Sequence, residues 1–231
     1  MNPQPTRLSP LYNIQTSVGA TIVSTDTWQV ARAIGSAADE RATATAHVGL
    51  ADLSDRAKIM VEGDGAAALL QNTLSGSMLA VNEVTHVADW GLYIASLRRD
   101  RFYISGVTGS ESKLIDALNA AAANAIGLIT VTDATDARAE LLLIGPSATT
   151  CLSRVCGLDF HESHFPNLTA KQSSVAKIRQ LLLRCDGKTV PAYIIGGGRS
   201  YAAYLWETLL EAGHDLSMQA VGRQTVEDLW R

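Results

Sequence analysis

An α+β domain made of two similar halves is the fold class this sequence predicts, and three observations carry it. A β-prone run, a glycine and a helix-like run follow one another in two places in each half. The two pairs of units come in the same order along the chain. Between them lie hairpin-like strands that do not alternate strictly with helices, which favours mostly antiparallel sheets over a doubly wound parallel sheet.

The 231 residues are enough for one large domain with a substantial core. With 47% hydrophobic and 18% charged residues, wholesale disorder is excluded. Residues 1–8 read as a flexible arm, lacking the basic-then-apolar order of a signal peptide. No run of roughly 18 apolar residues occurs, so no membrane contact is expected. A net charge of -4 argues against a nucleic-acid partner. Cys151, Cys156 and Cys185 do not make an even disulfide framework and read as reduced thiols of a cytoplasmic protein.

The first unit runs from the β-prone Lys58–Glu62 through Gly63-Asp64-Gly65 into a helix start at Ala66. Asp89–Leu97 then reads as a strand. The second unit is Arg101–Ile104, ending at Gly106, followed by Ser110–Ala125 with Leu114, Ile115, Leu118 and Ala122 on one helical stripe. The segment Thr130–Arg138, rich in Thr, Asp and Ala, reads as the joint between the halves. In the second half Leu141–Ile144 meets Gly145-Pro146-Ser147, where proline suits a helix start. Lys177–Arg184 and Val190–Ile195 form a hairpin across Asp186-Gly187. Ala192–Ile195 ends at Gly196-Gly197-Gly198, read as a turn, with Ser200 capping a helix that stops at Gly213. Gly63 and Gly145 lie 82 residues apart, and Gly106 and Gly196 lie 90 apart.

The residues alone carry little chemistry. Gly196–Gly198 lacks the spacing of either common phosphate-binding loop. His161 and His164 beside Cys156 fall in a loop and fall short of the convergent donors a metal needs, so no metal site is expected. The cysteines read as buried structural thiols, and His47 and His86 stand alone. Asp89 beside Trp90 is the acid candidate, because burial there would raise a carboxyl pKa; an exposed strand-end aspartate is the commoner reading of such a residue.

Several stretches together resemble the folate-binding domain of the glycine cleavage T-protein (aminomethyltransferase) family. They are Ser9–Tyr12, Val18–Ala20, His47–Ser54, Lys58–Leu70, Leu143–Pro146 and Ala220–Arg223. The second half resembles more closely the gamma subunit of heterotetrameric sarcosine oxidase, through Cys156–His161, Phe165-Pro166, Ala170–Gln172 and Arg199–Trp206. The resemblance implies an internally duplicated domain over residues 9–231, with half-domains about 9–131 and 132–231 and without the family's C-terminal barrel.

The resemblance also implies a folate site, and the departures weaken it. Asp89, Trp90, Arg56, Asn82 and Arg223 are the positions it places beside the cofactor. The family's first aspartate falls on Asp89, but its second falls on Trp90, and a tryptophan has no carboxylate to offer. Arg56 replaces an apolar pterin contact, and Arg223 matches an arginine near the folate tail. A glutamate segment expected near Gly196–Tyr201 is missing. The implied role is a gamma-like, non-catalytic subunit of a flavin-dependent amine oxidase or demethylase complex, with tetrahydrofolate bound weakly or not at all by the isolated chain. A truncated tetrahydrofolate-dependent aminomethyl or methyl transferase, with Asp89 catalytic, is the alternative. A stand-alone folate- or small-molecule-binding module is the third. Partners are other subunits of the complex, or a homo-oligomer formed through an apolar patch containing Tyr201, Trp206, Trp230, Trp90 and Tyr93.

Overall fold

The computed structural model describes residues 6–75, 79–125 and 127–230. Met1–Pro5 of the expected arm lie outside them, whereas Arg7 and Leu8 are structured. They form strand β1 (Arg7–Leu8), and the Arg7 guanidinium is ion-paired to Glu111 and Asp136. The first half continues with α1 (Tyr12–Ser17), β2 (Thr21–Thr25), β3 (Trp28–Ala33), α2 (Ala37–Ala46), β4 (Gly49–Asp52), β5 (Arg56–Glu62) and α3 (Ala66–Leu74). Then come β6 (Val84–Val87), β7 (Leu92–Arg98), β8 (Arg101–Thr108), α4 (Glu111–Ala122) and β9 (Thr130–Asp133). The second half holds β10 (Arg138–Ile144), α5 (Ala148–Val155), β11 (Thr169–Val175), β12 (Ile178–Arg184), β13 (Ala192–Gly198), α6 (Ala202–Ala212), β14 (Gln219–Val221) and α7 (Arg223–Trp230).

Two large sheets face each other. One has the order β6-β7-β8-β5-β9 and the other β11-β12-β13-β10-β4-β14; a small sheet β1-β3-β2 flanks them. Pairing is antiparallel except β14 on β4 and β1 on β3, so the expected α+β class with mostly antiparallel sheets is what forms. Side chains alternate across each strand, and the burial follows. Ile59, Ile94 and Ile104 turn outward under α3 and α4, while Leu141, Leu182 and Ile195 turn outward under α5 and α6. Between the sheets, Tyr93, Ala95 and Tyr103 meet Leu142, Leu183 and Ile194. The layers are therefore helix, sheet, sheet, helix.

The two sheets read in the same order, with β11, β12, β13 and β10 standing where β6, β7, β8 and β5 stand. Each half lends one strand to the other. β4 leads into β5 but pairs with β10, and β9 leads towards β10 but pairs with β5. The sequence boundary near residue 131 therefore cuts through β9. Register refines the spacing as well: Lys58 faces Ser105 and Glu140 faces Gly196, so the second pair of strands is offset by 91 residues.

The turns at Gly63 and Gly145 have φ of +134° and +131°. An added Cβ would lie 2.2 Å from Leu128 O at the first and 2.6 Å from Ala44 O and His47 O at the second. Only glycine serves there.

Gly196–Gly198 does not form the expected turn. These residues pair with Arg138–Glu140 and extend β13, because β10 offers a continuous ladder beside them. Gly197 also makes room for the Gln180 amide, whose Oε1 would lie 1.9 Å from a Cβ there. Ser200 consequently falls in a single 3-10 turn, and α6 begins at Ala202 without a side-chain cap. The Asp186-Gly187 hairpin does form, closed by Gly187 N–H to Val190 O at 2.9 Å.

Candidate functional site

One end of the seam between the sheets opens into a cleft of about 550 Å³. Arg56 of β5, His86 of β6 and Tyr93 of β7 come from one sheet. Asp186 and Lys188 of the β12–β13 hairpin and Trp230 of α7 come from the other side. Glu40 sets α7 in place: its carboxylate accepts Gly222 N–H at 2.8 Å and Thr225 Oγ1 at 3.1 Å.

The wall of the cleft is a ladder of rings. His86 lies 4.7 Å from Tyr93, and Tyr93 stacks on Trp230 at 5.4 Å and 20°. The Arg56 guanidinium sits 5.2 Å over the Trp230 ring. Trp230 Nε1 donates to Cys185 O at 2.6 Å, which satisfies its one polar atom. Burial first, and Arg56 second, hold the His86 imidazole below its ordinary pKa. Asp186 is engaged by Arg184, whose Nε and second guanidinium nitrogen donate at 3.0 Å each.

Behind Arg56 lies a buried polar network. Arg56 Nε donates to Ser105 Oγ at 3.1 Å, and Ser105 Oγ donates to Glu140 Oε2 at 2.8 Å. Tyr103 OH donates to Glu140 Oε1 at 2.7 Å, and Arg56 Nε lies 3.8 Å from that carboxylate. Lys58 Nζ donates to Ser54 O at 2.8 Å and Arg56 O at 2.7 Å. Desolvation lowers the Lys58 pKa and raises those of Tyr103 and Cys185.

Of the five positions the resemblance placed beside folate, only Arg56 lines this cleft. Asp89 is exposed in a 3-10 turn, Ala88–Trp90, because Gly91 at φ +59° delays the strand to Leu92. Trp90 leans on the outer core, with Lys113 Nζ 4.6 Å above its ring. Asn82 is exposed at φ +74°, and its backbone ties the sheets through Ser96 O and Ala170 N–H, each at 2.7 Å. Arg223 is ion-paired to the buried Asp55, which Thr108 Oγ1 also contacts. It has an internal partner before any ligand arrives.

Sequence reasoning missed His86, Tyr93, Asp186, Trp230 and Glu140 as a group. The Asp-Gly hairpin was the one local signal, since it put Asp186 on a loop; the others meet only through sheet pairing. Trp206 and Trp230 do not form a surface patch, being 2% and 6% exposed, and Tyr93 is buried too. Tyr201 and Tyr204 are the exposed aromatic residues of that region, at 51% and 47%. His161 Nδ1 pairs with Ser163 Oγ and His164 Nδ1 with Asp159, both exposed. Among the described residues no three metal-ligating side chains converge, and no helix is long and apolar enough to cross a membrane.

Paired, mostly antiparallel sheets between helices are a fold this chain shares with glycine cleavage aminomethyltransferase T. The chain superposes on aminomethyltransferase T of Bartonella henselae with a TM-score of 0.81 at 21% identity, covering 96% of this chain and 61% of that one. It superposes on a chain of the heterotetrameric sarcosine oxidase of Corynebacterium sp. U-96 with a TM-score of 0.68 at 24% identity, covering 91% of this chain and 96% of that one. The model of the GCVT N-terminal domain family matches residues 11–230, and the chain belongs to that family. Its relatives include sarcosine oxidase subunit alpha of Rhizobium meliloti (strain 1021), 25% identical over 98% of this chain and 25% of that protein. They also include the aminomethyltransferase of Streptomyces avermitilis, 27% identical over 91% of this chain and 58% of that protein. The chain thus spans less than two thirds of the length of these curated relatives.

Proposed function

We propose that this chain is a gamma-like, non-catalytic subunit of a sarcosine oxidase-type amine oxidase or demethylase assembly linked to tetrahydrofolate one-carbon transfer. The observation that carries the reading is the state of the cleft carboxylate. Asp186 is the acidic residue that lines the cleft, and Arg184 already takes both of its oxygens. A general acid or base needs a free, correctly protonated group within reach of the substrate. The 96% coverage of a chain of heterotetrameric sarcosine oxidase supports the same reading.

The cleft suits a flat heteroaromatic group such as a pterin. His86, Tyr93 and Trp230 would hold its faces, and Arg56 its polar edge. Arg223 would reach a glutamate tail only by leaving Asp55. We therefore expect tetrahydrofolate to bind the isolated chain weakly or not at all. The same reading takes residues 9–231 as one duplicated domain, with a cytoplasmic setting.

Co-expression with candidate flavoprotein oxidase subunits, followed by light scattering and calorimetry with tetrahydrofolate, tests the proposal. A stable hetero-complex supports it. Micromolar tetrahydrofolate binding by the chain alone, with methyl transfer from a simple amine and no complex, would replace it by the truncated transferase.

A further inference from the structure

The far end of the seam holds a second cleft of about 420 Å³. By strand order and register it occupies the place in the second half that the first cleft occupies in the first. Arg138 opens β10 as Arg56 opens β5, 82 residues earlier. Leu181 faces Gly196 as Tyr93 faces Ser105, and Gln172 pairs with Leu181 as His86 pairs with Tyr93. The β7–β8 hairpin closes it with Leu97 and Arg101, as the β12–β13 hairpin closes the other.

The chemistry at these corresponding places is different. The ladder of rings is replaced by Gln172 and Leu181, Tyr103 is the ring that lines the space, and three arginines join it: Arg101, Arg138 and Arg179. Arg101 lies two residues from Tyr103, Arg138 two from Glu140 and Arg179 two from Leu181, so each arginine shares the strand face that turns towards the seam. Arg101 is paired with Glu62 at 3.0 Å. Arg138 and Arg179 have no ion-pair partner among the described residues.

Arg138 is held in a set orientation. One nitrogen donates to Gly196 O at 3.1 Å, and its guanidinium lies 5.3 Å over the Tyr103 ring. Its Nε is buried and has no hydrogen-bond acceptor among the described residues. A buried guanidinium donor without an acceptor is costly unless a ligand supplies one. The cleft also concentrates positive charge on a chain whose net charge is -4. Met60, Leu97 and Leu181 give it an apolar side.

We propose that this second cleft is a binding site for a small organic oxyanion. Its carboxylate or phosphate faces Arg138 and Arg179, and its apolar part rests on Met60, Leu97 and Leu181. Guanidinium forks match both oxyanions, and the source of the charge is what the experiment separates.

Inorganic phosphate and glutarate are titrated into the full chain at low ionic strength, by amide-resolved NMR and calorimetry, with chloride held equal. The expected result is saturable one-site binding of at least one probe at about 1 mM or tighter. Arg179→Met and Arg138→Met should each weaken it roughly tenfold or more, in line with losing a charge-assisted bond. Lys188→Met, which removes a cation from the first cleft, should leave it unchanged. Phosphate alone, glutarate alone or both each support the site and name its anion. Arg179 is exposed, so its variant keeps the test open should Arg138→Met fail to fold. Absence of saturable binding by either probe overturns the proposal. So does binding that Arg179→Met leaves intact, or that Lys188→Met weakens as much.

Discussion

Lys58 and Glu140 hold corresponding positions in the two halves: each is the third residue of its strand, two places after the arginine that opens it, and each is 0% exposed. One position carries a cation and its counterpart an anion. Glu140 lies in the network that joins the two clefts, from Arg56 through Ser105, Glu140 and Tyr103 to Arg138, and Lys58 borders it by donating to Arg56 O. Identical halves would put like charges at these two buried places. The divergence of the halves lets each charge find opposite partners.

Glu140→Gln should be one of the most destabilising single substitutions. It keeps the shape but removes the charge opposite Arg56 and Lys58, and it forces an amide N–H₂ towards a hydroxyl donor. Breaking a buried ion pair from one side costs about 3–5 kcal/mol. Urea unfolding measures it, and a loss below about 1 kcal/mol contradicts the account.

Lys58 gives the stability a pH dependence of known sign. Its folded-state pKa is depressed, chiefly by desolvation, below the ordinary 10.5. Below the folded value both states carry the proton, and the burial cost is present in full. Between the folded value and 10.5 the unfolded chain binds the proton and the folded one does not, so stability contributed by this group rises with pH. A Lys58→Met variant lacks that rise. Its stability relative to the parent should fall as pH climbs from neutral towards 10.5, a trend followed by denaturant midpoints across the series.

Gly145→Ala and Gly63→Ala should each destabilise the fold. Both glycines have strongly positive φ, and at both a Cβ would strike backbone oxygens that cannot swing away. A strained backbone conformation of this kind costs about 1–3 kcal/mol, with the clash in addition. Gly127→Ala is the comparison: at φ +92° with nothing within 4 Å, it carries the backbone strain without the clash. Thermal midpoints of the three variants should therefore order Gly127→Ala highest.

Trp230→Ala and Asp89→Ala separate the cleft from the turn beside it. Trp230 is stacked, hydrogen-bonded and 6% exposed, and truncating a buried tryptophan costs about 3–5 kcal/mol. Asp89 is exposed, and such a change stays within about 0.5 kcal/mol. Any tetrahydrofolate binding should vanish with the first and stay within about twofold with the second, as read by calorimetry. A tenfold loss from Asp89→Ala would return the acid role to that residue.

The sequence by itself determined the kinds of element and the points where they turn. Alternation over Lys58–Glu62 and Leu141–Ile144, glycines at 63 and 145, and Asp186-Gly187 between apolar runs are local signals, and local sterics act on them wherever they occur. Arg56 was named through the family resemblance alone, as a charge in place of an apolar contact, and its place at the start of β5 came from the structure. Tertiary structure decided what those elements meet. Gly196–Gly198 is compatible with a turn or a strand, and the open edge of β10 made it a strand. One residue, Gly91, turned Asp89 away from the cleft. His86 and Tyr93 are neighbours across β6 and β7, but Asp186 and Trp230 are far from them in sequence and join them because β4 and β9 pair with the opposite half and bring the two sheets face to face. No single segment encodes that exchange: its free energy is shared among long-range backbone pairs and the side chains buried between the sheets, and it exists only when both halves are folded.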